Sequence, residues 1–486
     1  MNSQIRRVGL VVLVMFGVLF VNLNYIQLVK AEKLANHPRN RRLLLAEYAI
    51  ERGAILSADQ ITLARSEPTP KAALKYLRTY DTAELFAHAV GYYSVRFGRE
   101  GLERTHNKEL SGKGGVLTIQ DIGDRFLKGT ELGDTLILSL DSRVQRAALE
   151  SLDGHKGAIV ALDPITGQVL AMVSLPSFNP NPLSQHSSTG QEETYRSLLA
   201  HDDDPLVNRA TRRTYPPGST FKLVTAIAAL QNGRGVDTTF PATEAYTPAQ
   251  TSTSIRNFGG ANCGGSMAEA MRDSCNTYFA RLGAELPKGA LEETATALGF
   301  TQVPPIDLPA LASELPTTAQ LKSPAFAAQS AIGQFEVAAT PLQMALVAAA
   351  IANGGKVPEP QLVREVQDAR GAVVKQTKPR VWRDAFSKET ADALKQMMIA
   401  VVDSGTGRSA SISGVKVAGK TGTAQAGTEG SGTFAWFVAF APADAPRIAI
   451  AIVVEGAGDP KNETGGRLAA PMAKKVLEAH RRIAGW

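Results

Sequence analysis

Three short motifs occur in one order along this 486-residue chain: Ser219-Thr220-Phe221-Lys222, then Ser274-Cys275-Asn276, then Lys420-Thr421-Gly422-Thr423. The first sets a hydroxyl and an amine three residues apart, which on a helix is one turn apart on one face. Pro216-Pro217-Gly218 stops the chain just before it, and the apolar run Leu223 to Leu230 reads as a buried helix. Ser219 is therefore expected at a helix N-terminus, where unpaired N–H groups and the helix dipole favour developing negative charge. The second motif adds a hydroxyl to relay protons and an amide to hold a peptide. The third adds a cation for a carboxylate, and a glycine that lets a strand backbone approach a reacting carbonyl. Together they compose an acyl-transfer site that needs neither histidine nor metal.

Each motif alone is weak, reading equally well as a helix cap, a turn or a solvated lysine. Ser413-Gly414-Val415-Lys416 repeats the first spacing, but in a Gly/Ser-rich loop with no helical run behind it. Ser177-Phe178-Asn179 repeats the second, but precedes Ser219 and is followed by proline. Order and local context single out the trio, and its rivals lack residues. There is no G-x-S-x-G, and His480 is the one histidine after Ser219. The seven histidines (His37, His88, His106, His155, His186, His201 and His480) form no H-E-x-x-H and no close pair, so neither a metal nor a cofactor is expected.

Apolar residues make up 44% and charged residues 20%, an ordinary globular composition for two or three units. The net charge of +6 is scattered and accompanied by no nucleic-acid motif, so nucleic acid is not an expected partner. The N-terminus is less ordinary. From Val8 to Leu28 only Asn22, Asn24 and Gln27 interrupt an apolar run, and about twenty helical residues span roughly 30 Å. A cleaved signal peptide is the competing reading, but its nearest cleavage triplet, Val29-Lys30-Ala31, carries lysine in the middle. A single-pass anchor is favoured. Arg6 and Arg7 argue for a cytoplasmic N-terminus, whereas Lys30, Lys33, Arg39, Arg41 and Arg42 vote the other way. The large domain is placed outside, since a long domain can override loop charge.

Residues 1–30 are thus read as tail and transmembrane anchor, 31–154 as a non-catalytic pedestal of the dimerisation type, and 155–486 as the catalytic domain. The pedestal is polar and interrupted, with short strand-like pieces at Gly53-Ala54-Ile55-Leu56 and Thr135-Leu136-Ile137-Leu138. Beyond Gly157, two apolar runs flank Asp163-Pro164-Ile165-Thr166-Gly167, the chemistry of a β-hairpin. Strands are expected at Val415–Thr423, Ala435–Phe440 and Ile448–Val454, with an amphipathic helix from Pro471 to Ile483. The fold class is α+β, one antiparallel sheet flanked by helices. Asp202-Asp203-Asp204 reads as a solvated loop. Cys263 and Cys275 are the whole cysteine complement. They are expected to form a disulfide outside the cytoplasm, the alternative being two buried thiols.

The trio is shared by penicillin-binding proteins and class A β-lactamases. The chain resembles a class B penicillin-binding protein, most closely the short actinobacterial type, along nearly its whole length. Pro38-Arg39-Asn40, Arg52-Gly53-x-Ile55, Gly91-Tyr92-Tyr93-Ser94, the segment Gly157 to Pro164, Ile332-Gly333-Gln334 with Thr340-Pro341-Leu342, and Gly465-Gly466 before Ala470-Pro471 carry the resemblance beyond the trio. Two positions depart from the family pattern: Asp59-Gln60, where a glycine turn is common, and Phe335, where a glycine often follows Gly-Gln. The resemblance implies a peptidoglycan D,D-transpeptidase of the penicillin-binding, serine β-lactamase-like fold, acting in cell wall synthesis, cell shape and division. Ser219 would be the nucleophile, Lys222 the base, Ser274 the proton relay and Asn276 the holder of the substrate amide and of Lys222. Lys420, Thr421 and Thr423 would bind the terminal carboxylate beside Gly422, and the backbone N–H groups of Ser219 and Thr423 would form the oxyanion hole. The implied partners are peptidoglycan stem peptides, β-lactams that acylate the serine, a membrane glycosyltransferase, and division or elongation proteins.

A D,D-carboxypeptidase or a β-lactamase on the same fold is the nearest rival. Class A β-lactamases activate the deacylating water with a glutamate in an E-x-x-L-N loop, and that motif is absent here. A β-lactam-binding sensor would need a signalling domain, yet only about seven residues precede the anchor. A divisome scaffold would tolerate loss of catalytic groups, and all of them are present.

Overall fold

The computed structural model describes residues 2–28, 30, 48–70, 74–112, 132–425, 432–456 and 463–486. Pro38-Arg39-Asn40, Val29, Ala31, and the charges Lys33, Arg39, Arg41 and Arg42 lie outside them. Helix α1 (Asn2–Leu28) holds the 24-residue stretch Gln4–Gln27, in which an 18-residue window reaches a mean hydropathy of 2.2, so it is long and apolar enough to cross a membrane. Short strands follow: β1 (Ile55–Leu56), β2 (Thr62–Pro68), β3 (Tyr76–Thr79) and β4 (Thr135–Leu138). Helix α2 (Ser142–Leu152), capped by the Asp141 carboxylate, leads into the hairpin β5 (Gly157–Leu162) and β6 (Val169–Leu175). Its turn is the expected one, with the Asp163 carboxylate accepting from the N–H groups of Ile165 and Thr166. A helical region holds α3 (Lys222–Gln231), α4 (Met267–Asp273), α5 (Asn276–Glu285) and α6 (Pro341–Ala352). Strands β7 (Val363–Gln367) and β8 (Val373–Gln376), helix α7 (Lys388–Asp403), strands β9 (Ala418–Gln425), β10 (Thr433–Ala441) and β11 (Ile448–Glu455), and helix α8 (Ala470–Ala484) complete the chain.

The main sheet is antiparallel, in the order β9-β10-β11-β5-β6. Its central strands are buried along nearly their whole length because both faces are covered. Alternation sorts the side chains. Trp436, Val438, Phe440, Ala451 and Val453 join the core under the helical region, while Phe437, Ala439, Ile450 and Ile452 join the core under α2 and α8. Helix α6 is apolar on every side and accordingly buried from Pro341 to Ile351, against β11. Strand β9 lies at one edge of this sheet. The expected strand at Val415 begins three residues later, at Ala418.

The second sheet runs β8-β7-β4-β1-β2-β3, so a hairpin from the C-terminal half extends a sheet begun near residue 55. Helix α2 likewise packs on β6 and α8 rather than on this sheet. The two departures from the family pattern keep the backbone a glycine would supply: Gln60 has φ 65° and Phe335 φ 62°. Asp59 accepts from the Ser142 backbone at 3.0 Å, and Phe335 stacks on Phe326 with ring centroids 4.4 Å apart.

Beneath the second sheet lies a buried ion network that the sequence reading did not find. Glu103, fully buried, accepts from Arg52 Nε and, at 2.7 Å, from Arg78 Nε. Burial pushes its carboxyl up, but the guanidiniums of Arg52 and Arg78 outweigh that and hold it below the usual carboxylate range. A depressed carboxylate contributes stability above its ordinary pKa and loses it as the pH falls through the depressed value. Glu103→Gln strips the charge and leaves two buried guanidiniums. Urea unfolding at pH 7 should register a loss of about 3–5 kcal/mol; a loss below about 1 kcal/mol would contradict the network's role.

Candidate active site

The turn carrying Ser219, the expected nucleophile, is a tight helical turn, Gly218–Phe221, running directly into α3. Proline precedes it, and Leu223 to Ala229 are buried, as the apolar run requires. Glycine matters here at two contacts. A Cβ on Gly422 would stand 2.8 Å from the Pro217 carbonyl oxygen and 2.9 Å from Thr220 Cγ2. Gly422 thus admits the turn of Ser219 against strand β9. Gly333, at φ 69°, gives the second contact: a Cβ there would lie 2.2 Å from the Gly218 carbonyl oxygen.

The turn is also held from β11, two strands across the sheet from β9. Tyr215 donates to the Glu455 carboxylate at 2.7 Å, and Arg209 and Lys156 reach the same carboxylate at 2.8 and 3.2 Å. Trp436 Nε1 donates to the Pro216 carbonyl at 3.0 Å. Asp203, read as solvated, pairs with Lys156 at 2.8 Å. The one sequence signal for this anchor was a lone charge, Glu455, closing an apolar strand.

Lys222 and Lys420 are both fully buried, and among the described residues neither pairs with a carboxylate. Lys222 Nζ donates to the Ser274 carbonyl at 2.6 Å and to Asn276 Oδ1 at 2.7 Å, with Ser274 Oγ at 3.5 Å. Lys420 Nζ donates to Ser274 Oγ at 2.7 Å and to the Thr421 carbonyl at 3.1 Å. Burial pulls Lys420 down to about 7. Burial, then the charge of Lys420, holds Lys222 well below the ordinary amine range. Ser274 therefore stands between two amines that resist protonation. It caps α4 in the left-handed conformation, φ 60° and ψ 39°, and Cys275 starts α5. Asn276 Nδ2 donates to the Arg256 carbonyl at 3.0 Å, leaving one amide hydrogen for a substrate.

Three of the expected residues, Ser219, Thr421 and Thr423, stand apart from this cluster. Among the described residues the Ser219 hydroxyl has no hydrogen-bond partner; the Lys222 amine is engaged with Ser274 and Asn276. Thr421 and Thr423 pair with Phe437 and Ala435, so they lie on the strand face opposite Lys420 and Gly422. Thr421 Oγ1 lies 2.6 Å from Thr406 Oγ1, and Thr423 Oγ1 accepts from the Gly465 N–H at 3.3 Å. The backbone of Thr423 stands close to the nucleophile turn, its carbonyl oxygen 2.8 Å from where a Cβ on Gly218 would be. Ser413 and Ser177 are remote from the lysines: Ser177 Oγ donates to the Glu84 carbonyl, and the Ser413 carbonyl accepts from Arg481. Cys263 and Cys275 are joined in a disulfide, with Cα atoms 5.9 Å apart, tying the start of α5 to the segment Cys263–Ser266.

Two measurements check this geometry. The folded pKa of Lys420, about 7, lies below its ordinary 10.5, so the unfolded state binds the extra proton and stability rises with pH between those values. Lys420→Met should flatten the urea midpoint against pH over that window, and an unchanged slope would count against a buried amine. The denatured, unreduced protein should take up no thiol alkylating agent. Reduction should then cost about 3 kcal/mol of stability for a loop of this length.

A model of the penicillin binding protein transpeptidase domain matches residues 157–478, and one of the penicillin binding protein A dimerisation domain matches residues 52–136. The protein named peptidoglycan D,D-transpeptidase PbpA of Mycolicibacterium smegmatis is 38% identical over 490 residues, 99% of this chain and 99% of the relative. Its Mycobacterium tuberculosis namesake is 36% identical, with the same coverage of both chains. A solved penicillin G acyl-enzyme complex of penicillin-binding protein A from M. tuberculosis matches with a TM-score of 0.82 at 36% identity, covering 89% of this chain and 99% of that one. The chain belongs to the penicillin-binding protein transpeptidase family, on the branch of penicillin-binding protein A.

Proposed function

We infer that this protein is a membrane-anchored serine D,D-transpeptidase that cross-links peptidoglycan stem peptides through an acyl-enzyme on Ser219 and is acylated there by β-lactams. The observation that carries this reading is the pair of buried lysines converging on Ser274 beside the Ser219 turn. A neutral Lys222 has two N–H groups, and the oxygens of Ser274 and Asn276 accept both. Its lone pair remains as the base for the Ser219 proton. Ser219 Oγ attacks the carbonyl between the two terminal D-alanines, and the Ser219 and Thr423 N–H groups stabilise the oxyanion. As the C–N bond breaks, the proton passes from Lys222 through Ser274 to the leaving amine. Lys420, as a cation, attracts the terminal carboxylate, with Thr421 and Thr423 as further donors. An amine of a neighbouring stem peptide then attacks the ester, forms the cross-link and frees Ser219.

In this reading residues 1–30 anchor the chain, 31–154 form the pedestal, and 155–486 form the catalytic domain outside the membrane. The two family matches and the apolar helix α1 support that division. The glycan strands come from a membrane glycosyltransferase, with division or elongation proteins as further partners, a part that stands on family resemblance. Mass spectrometry after penicillin treatment should find the adduct on the peptide containing Ser219. Ser219→Ala should stay folded, lose the adduct and fall ~10⁶-fold in rate, by analogy with serine hydrolases. Adduct on Ser413, or labelling that persists in the alanine variant, would sink the assignment.

A further inference from the structure

Thr406 belongs to none of the three motifs, yet its Oγ1 lies 2.6 Å from Thr421 Oγ1. The partners differ in surroundings: Thr421 is 6% exposed, whereas Thr406 is open to solvent. The turn carrying Thr406 follows α7 and is fixed from two sides. Its backbone N–H donates to the Arg272 carbonyl at 3.3 Å, just ahead of the α4–α5 joint. A Cβ on Gly405 would meet that same carbonyl oxygen at 2.4 Å, and a Cβ on Gly466 would meet the Thr406 carbonyl oxygen at 2.4 Å. The Thr406 hydroxyl is thereby held beside strand β9, two residues from Ser274 along one wall and one residue from Lys420 along the other.

Two hydroxyls at this distance share a single proton, so one donates to the other. When Thr421 donates, its only proton is spent on Thr406. When Thr406 donates, the Thr421 proton is free for an anion. An incoming carboxylate favours the second arrangement, because each bond in the series from Thr406 to Thr421 to the carboxylate polarises the next. Solvent can supply Thr406 with other partners in either state, but the buried Thr421 oxygen depends on its neighbour for a donor.

We propose that Thr406 is a positioning residue that determines donor specificity: its hydroxyl orders the Thr421 proton, and the site thereby selects donors with a free terminal carboxylate. The proposal rests on the transpeptidase reading. Its test keeps the two apart. The full-length protein and its Thr406→Val and Thr406→Ser variants receive two thioester donors identical except for the end group, a free carboxylate or a carboxamide, with penicillin G labelling as reference. Wild type that uses neither donor and takes no penicillin overturns the transpeptidase reading. With an active wild type, Thr406→Val lowers kcat/KM for the carboxylate donor about tenfold and leaves the carboxamide donor within about twofold. Thr406→Ser restores the carboxylate rate. Thr406→Ala, which removes the hydroxyl without a branched methyl, gives the same result should valine disturb the turn. An unchanged carboxylate rate, equal losses on both donors, or no restoration by serine overturns the assignment.

Discussion

Two amines in one dry cleft set the terms for everything around them. Lys222 and Lys420 are fully buried, and each charge placed there goes without the solvation it has in water. A carboxylate partner would relieve that penalty and would also keep both amines protonated. The site instead surrounds them with neutral oxygens, those of Ser274, Asn276 and Thr421. Neutral acceptors satisfy N–H groups without holding the charge, which suits Lys222 to the role of base proposed for it. The second amine, at about 7, titrates where an incoming anion tips it to the cation.

That arrangement demands that three segments distant in sequence meet closely, and the main sheet makes it possible. Strand β9 lies at an edge, so a face carrying Lys420 and Gly422 can meet the start of α3 while the opposite face meets the loop of Thr406. Glycine at 422 and 333 lets backbone, rather than side chains, form the contact with the nucleophile turn. The carboxylate of Glu455 acts at longer range. It fixes Tyr215, whose backbone exchanges hydrogen bonds with Ala339 at 2.9 and 2.8 Å, and Pro216 follows directly in the grip of Trp436. Ser219 is thus held by its neighbours' hydrogen bonds while its own hydroxyl finds no partner among the described residues, which suits the nucleophile proposed for this position.

Local chemistry made the elements legible in the sequence, and long-range contact hid the rest. The hairpin at Asp163, the buried helix after Ser219 and the last strands followed from turn residues and apolar runs, signals confined to a few neighbours. The order of the motifs located the lysines. By contrast, nothing local marks Glu103 as the centre of a pair of arginines, because Arg52 and Arg78 reach it from 51 and 25 residues away. Thr406 is one hydroxyl in a Gly-rich turn until the fold brings Thr421 beside it. The side-chain direction of Thr421 and Thr423 was implicit in strand alternation, yet required knowing which neighbour faces which core. The hairpin β7–β8 joins the second sheet by pairing with β4, which no composition shift announces.

Left-handed backbone shows how tertiary structure and chemistry divide the work. Glycine adopts that conformation freely, whereas other residues pay roughly 1–2 kcal/mol for it. At Gln60 and Phe335 the family's usual glycine is absent and the conformation survives, so it is imposed by the surroundings: the Asp59 link to Ser142 in one case, the Phe326 stack in the other. Ser274 is a different case. Its turn at φ 60° lets α4 end and α5 begin with only Ser274 and Cys275 between them, which brings Asn276 and the Ser274 carbonyl to bear on Lys222 together. Glycine would relieve the strain and keep that geometry, but it would remove the hydroxyl that lies between the two lysines. The adjacent disulfide and the ladder of bonds to Lys222 and Lys420 hold the joint shut against the strain. The conformation persists there because the side chain, not the backbone, is what the chemistry requires.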